Sequence, residues 1–211
     1  MKWAKRNIGA NSEEESGLYF QWGDTQGYTD KQVGNGGGLK AFYWNDYKFS
    51  NGGSDSNFSK YNASDKTVLD PEDDAAHVNM GGNWRMPTFD EYKELCLNTD
   101  ICLVTKEGKE IQGTAQEDSG MINWTSQAGR TSKGIKFYKK GDKQTYMFVP
   151  TAGDASEGSM QGVGLRGFLW SSSFNSSDVQ SAWNFFFHAY GGSVDYGIRY
   201  IGLPVRGVLA Q

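Results

Sequence analysis

The chain has 211 residues, enough for one sizeable hydrophobic core. Its net charge of −4 and pI of about 5.2 leave no basic footprint for nucleic acid or an anionic membrane, and no apolar run approaches the ~20 residues of a membrane-spanning helix. Twenty-eight glycines, 14% aromatic residues and four prolines suit short strands and many turns around an aromatic core rather than disorder.

Met1 leads directly into an expected first strand at Trp3, so no cleaved signal peptide is visible. An excised domain and export without a cleaved signal both stay open. Strands are expected between Trp3 and Trp22, around an acidic turn at Glu13–Glu15. Residues 26–66, with Gly36–Gly38 and Asn51–Gly53, read as a long turn-laden excursion with little regular structure. Asp70 is positioned to cap a helix, with Pro71 at its first position, Asp73 and Asp74 at the positive dipole end, and a stop at Gly81–Gly82.

A second helix begins at the capping box Thr88–Glu91 and gathers Phe89, Tyr92, Leu95 and Cys96 on one face. Beyond residue 100 the clearest strands are Tyr146–Val149, Phe168–Ser171, Ala182–Phe187 and Leu203–Val208. Helices and strands without βα alternation indicate an α+β domain. No internal repeat or linker divides the chain, so one domain over residues 1–211 is expected. Cys96 and Cys102 are the only cysteines, and buried free thiols are favoured over a disulfide between them.

Catalytic and metal chemistry finds little support. His77 and His188 are the only histidines, and neither belongs to a metal-ligand spacing. Ser171–Ser173 lacks a nucleophile elbow, and Gly34–Gly38 lacks the Lys-Ser/Thr of a phosphate loop. The Trp44–Asp46 triplet (WND) lies early in the chain without the companion motifs of a calcium lectin site. No enzyme activity, metal or cofactor is expected.

The C-terminal stretch is different. From Asn184 to Gly202 there is no Lys, Glu, Gln, Met or Trp, the residue types that pyrimidine-ending codons cannot encode. Such a composition is what adenine-targeted mutagenesis of Asn codons would leave. An aromatic-rich strand of skewed composition is the plainer explanation. On a strand, Phe185 and Phe187 should face inward and Phe186 outward.

Several short runs in fixed order carry a resemblance: Lys2–Ala10 (KWAKRNIGA), Gly17–Thr25 (GLYFQWGDT), Asp73–Ala76 (DDAA), Gly81–Thr88 (GGNWRMPT), Val149–Gly153 (VPTAG), Trp170–Ser173 (WSSS) and Gly202–Arg206 (GLPVR). In these the chain resembles the variable proteins of diversity-generating retroelements of gut Bacteroides and their phages, within the Fibrobacter succinogenes major paralogous domain group. The resemblance implies a C-type lectin-like fold with a diversified ligand-binding segment at about 167–202. It implies variable positions on one face, which transfer to Phe168, Leu169, Ser181, Asn184, Phe186, His188, Tyr190, Asp195, Tyr196, Ile198, Tyr200 and Ile201, with Trp170, Trp183 and Arg206 as scaffold.

The implied partner is a bacterial cell-surface protein or glycan, bound noncovalently from a phage tail tip or a bacterial surface; homo-oligomerisation is left open. A non-diversified adhesive or structural surface domain of the same group is the alternative. Formylglycine-generating enzymes share the WRMPT-type motif, but their reactive C-terminal cysteines have no counterpart after Cys102.

Overall fold

A computed structural model describes residues 1–33, 41–62, 66–118, 121–125 and 132–209; the glycine run 34–38 lies outside these. Small antiparallel sheets with a few helices make an α+β arrangement. No helix among the described residues is long and apolar enough to cross a membrane.

The chain ends meet. Strand β1 (Lys2–Trp3) pairs with β16 (Val208–Leu209), which pairs in turn with β3 (Trp84–Arg85). β2 (Tyr19–Phe20) pairs with β15 (Leu203–Pro204). A four-stranded sheet has the order β5 (Glu110–Gln112), β4 (Thr99–Thr105), β8 (Ser132–Lys139), β9 (Asp142–Pro150). The largest sheet orders β12 (Arg166–Phe174), β13 (Ser181–His188), β14 (Gly191–Ile198), β7 (Met121–Thr125) and β6 (Thr114–Asp118). β10 (Asp154–Ser156) and β11 (Ser159–Gln161) form a separate hairpin.

Alternation along β12 and β13 assigns their side chains to two cores. Leu169, Phe185, Phe187 and Val194 face the helix at Phe89–Asn98 (α3) and the four-stranded sheet, packing with Tyr92, Leu95, Phe137 and Val149. Trp170, Phe174 and Ala182 point the other way, onto Trp22, Tyr47, Phe49, Phe58 and Tyr61. The β12–β13 part of the sheet is therefore covered on both sides over much of its length, and each fully buried Phe contributes about 1.5–3 kcal/mol of transfer free energy. Gly167 lies opposite Phe187, where a Cβ would stand 2.2 Å from the ring, so this register requires glycine.

α3 begins as its capping box requires: Thr88 Oγ1 accepts from Glu91 N, and Glu91 Oε2 accepts from Thr88 N at 2.8 Å. The other expected helix is broken. Pro71–Asp73 is a 3-10 turn, and α2 (Ala75–Met80) starts afresh with Asp74 as its cap, accepting from Ala76 N and His77 N. Asp70 makes no side-chain cap because its carboxylate is held by Lys60 and Lys66. α2 ends at Gly81, as expected.

The excursion from residue 26 has a short helix α1 (Asp30–Val33) and a 3-10 turn at Trp44–Asp46. It is no solvated loop: Phe42, Tyr47, Phe49, Phe58 and Tyr61 are buried. Its irregular path needs left-handed backbone at Phe42 (φ 70) and Tyr61 (φ 57), strain supported by the aromatic packing.

Cys96 and Cys102 are free and buried, and burial pushes the Cys96 thiol up to about 12. Two arginines are also interior. Arg206 donates to Asn7 Oδ1 at 2.9 Å and to the Phe148 carbonyl, and burial lowers its pKa to about 10. Arg199 lies 4.0 Å from the centroid of the Phe58 ring and donates to the Tyr61 carbonyl.

Candidate ligand-binding surface

β12, β13 and β14 form a meander whose cross-strand partners share a face. Arg166 lies opposite His188, Phe168 opposite Phe186 and then Ser193, and Trp170 opposite Asn184 and then Asp195. At one end this face is closed by the second core. Toward the other end the cover stops, and a series of rings lies along the sheet surface. Phe168 and Phe186 have centroids 4.9 Å apart, Phe186 and His188 are edge-to-face at 5.3 Å, and His188 meets Tyr190 at 6.0 Å. The Arg166 guanidinium lies 5.6 Å from the Phe168 ring and is held by Asp154.

The series ends at a two-residue turn. Ala189 is buried against the core behind the sheet, while Tyr190 is 55% exposed. Tyr190 N donates to His188 Nδ1 at 3.0 Å, which requires the imidazole tautomer with Nδ1 unprotonated.

Beside the ladder lie Tyr200 and Ile201, half-buried against the second core. Tyr200 is edge-on to Trp44 at 4.9 Å. The Ile201 side chain reaches back toward the sheet: a Cβ built on Gly197 would lie 3.1 Å from Asn184 Nδ2 and 3.4 Å from Ile201 Cδ1, a snug fit. Asp195 is half-buried and accepts from Tyr196 N at 2.8 Å.

Not every expected contact residue reaches the surface. Leu169 is fully buried in the first core, Asn184 is 2% exposed opposite Trp170, and Ser181 is 3% exposed, donating to Asp178. None of these is available to a ligand. Nor do the exposed positions share one face. Tyr196 and Ile198 follow Val194 at period two and so lie on the reverse side from Asp195. There Tyr196 meets Trp183 edge-on at 5.7 Å, and Trp183 packs on Phe89 at 4.3 Å. Trp183, expected as scaffold, is half-buried and belongs to this second aromatic patch.

Arg166 and Trp44 were not anticipated. The period-two spacing from Phe168 to Arg166 carried a signal for the first. No sequence signal links Trp44 to Tyr200, because the contact is long-range.

Other chemically suggestive residues have structural work. Trp22 Nε1 donates to the Ser171 carbonyl, Ser173 Oγ accepts from Phe89 N, and Ser172 Oγ bonds the Pro87 carbonyl. His77 Nδ1 lies 3.2 Å from the Trp84 carbonyl, and Asp46 Oδ1 accepts from Tyr43 N within its own turn. Asp70, Glu72 and Asp73 converge within metal-ligand distance, but Lys48, Lys60 and Lys66 bind them as counter-charges. The two lysines holding Asp70 keep its carboxyl at about 2.

The geometry is thus a rigid, largely apolar ring surface with few free polar groups, suited to noncovalent contact. No family model matches the chain, and no curated protein or solved structure matches it either.

Proposed function

We propose that the protein is a receptor-recognition module that binds its partner noncovalently through the ring series Phe168, Phe186, His188 and Tyr190, flanked by Asp195, Tyr200 and Ile201. The observation carrying this reading is a half-buried aromatic series that opens at the exposed Tyr190, on strands whose reverse side at Phe185, Phe187 and Val194 is packed into the core. Tyr and Phe offer large contact area with only two torsions each, and a contiguous apolar patch of this kind on a surface marks an interaction site. Under this reading the chain is a diversity-generating retroelement variable protein with a C-type lectin-like fold. It recognises a bacterial cell-surface protein or glycan from a phage tail tip or a bacterial surface.

The burial of Leu169, Ser181 and Asn184 favours a second reading, a non-diversified adhesive domain of the same group, because random substitution at these positions would damage packing. A near-copy of the coding segment with Asn codons at the exposed positions, beside a reverse transcriptase gene, separates the two.

The binding reading is tested by screening the protein against gut bacterial cells and their surface glycans, alongside the Phe186→Ala/Tyr190→Ala variant. The expected result is binding that the variant loses while its melting temperature stays within a few degrees. Binding retained in full by the variant would overturn the assignment of the ladder.

A further inference from the structure

On a different part of the molecule, β1, α3 and the β8–β9 hairpin enclose an open cleft of about 480 Å³. That volume is in the range of small-molecule sites, about 300–1,000 Å³. Its floor is apolar, formed by Trp3, Leu95, Phe137 and Met147. Trp3 is set in place by packing on Tyr92, with ring centroids 5.4 Å apart. The rim is basic: Lys2, Lys5 and Lys139 line the opening, and none makes an ion pair or side-chain hydrogen bond among the described residues.

Two carboxylates also line the cleft. Glu91 is neutralised by Arg85, whose Nη1 lies 2.7 Å from Oε2, which leaves Glu94 as the lining carboxylate without an ion pair among the described residues. On a chain of net charge −4, an apolar floor ringed by free ammonium groups is a local inversion of the overall charge.

We infer that this cleft is a second binding site, taking a small amphipathic anion with an apolar body and one anionic head. The body lies on Trp3, Leu95 and Met147, and the head is held by Lys2, Lys5 and Lys139 as point charges. A polyanion such as nucleic acid is disfavoured, because it needs a basic track and phosphate-spaced donors rather than an apolar floor. The inference does not depend on the aromatic ladder; the two sites stand or fall separately.

The test uses decanoate as the probe. The Trp3 indole signal, assigned with Trp3→Phe, is followed by NMR during titration, and displacement of 8-anilinonaphthalene-1-sulfonate is read by fluorescence. Decanoate is expected to shift the Trp3 and Met147 signals and displace the dye. Octanol, lacking the charge, should do so at least tenfold less well, and rising salt should weaken decanoate binding. The Lys2→Glu/Lys5→Glu/Lys139→Glu variant changes exposed side chains only and should bind at least tenfold more weakly. Lys139→Gln alone, which leaves the N-terminal strand untouched, should give a smaller loss in the same direction. Unchanged Trp3 and Met147 signals, equal binding of octanol, or wild-type affinity in both variants would overturn the inference.

Discussion

Neighbouring phenylalanines on β13 do opposite work. Phe187 is fully buried, stacked 5.8 Å from Phe185, while Phe186 lies on the other side among the ladder rings. Phe187→Ala should cost about 3–5 kcal/mol, the range for deleting a buried aromatic side chain. Phe186→Ala, next to it, should cost about 1 kcal/mol or less; denaturant unfolding of both variants measures the contrast, and equal losses would refute the assignment of faces. This division was legible in the sequence because strand alternation is local. The burial of Asn184 was not, since it lies opposite Trp170 on the face that the second core covers, and that core is assembled from segments distant in sequence. Ser181 was equally hidden, because its partner Asp178 precedes the strand in a turn whose geometry no pattern announces.

Among the elements, the connection from residue 41 to α2 shows what local signals reach and where they stop. The Thr88 capping box formed as read because both of its partners lie within one turn. The cap expected at Asp70 moved to Asp74 because lysines from residues 60 and 66 claim the Asp70 carboxylate, and Asp74 is held by Met86 N as well as by the helix. The buried aromatics of residues 42–61 were missed for a related reason: turn-rich composition describes the backbone path but not the direction of its side chains. The lysine cluster also sets an acid sensitivity. The Asp70 carboxyl is held at about 2, below its unfolded value, chiefly by its hydrogen bonds to Lys60 and Lys66. Its contribution to stability is therefore present above the unfolded carboxylate range, near 4, and is lost as pH falls through about 2. Thermal melts of the native protein and Asp70→Asn between pH 6 and pH 2 should converge at the acid end. A gap that persists unchanged to pH 2 would show that the ion pairs contribute nothing.

For the molecule as a whole, the decisive fact is that the meander β12–β13–β14 is shared by both cores and exposes rings on both sides. The ladder at Phe186 and Tyr190 lies on one side; Tyr196 and Ile198, with Trp183 and Phe89, lie on the other. A partner seated flat on the ladder cannot also cover the Tyr196 patch. Once a ligand is in hand, Tyr190→Ala should therefore weaken its binding at least tenfold, and Tyr196→Ala by less than about twofold, read by titration calorimetry. Comparable losses from both would mean a partner that contacts both faces of the meander. The α+β class and the inward Phe pair were readable from the chain alone; the splitting of the surface was not, because it follows from register rather than composition.

The ladder rides on strands, and its far end is tied down twice: Ala189 is pressed into the core, and the Tyr190 amide is held by the imidazole of His188. Loops that carry recognition residues must be ordered when a partner arrives, and that loss of freedom subtracts from affinity each time. Here the ordering was completed during folding, at no further cost to the encounter. Exchanging one ring for another on this frame changes the fit and leaves the entropy of docking nearly constant. Differences in affinity among such surfaces should then be expressed as residence times, with arrival rates held in common.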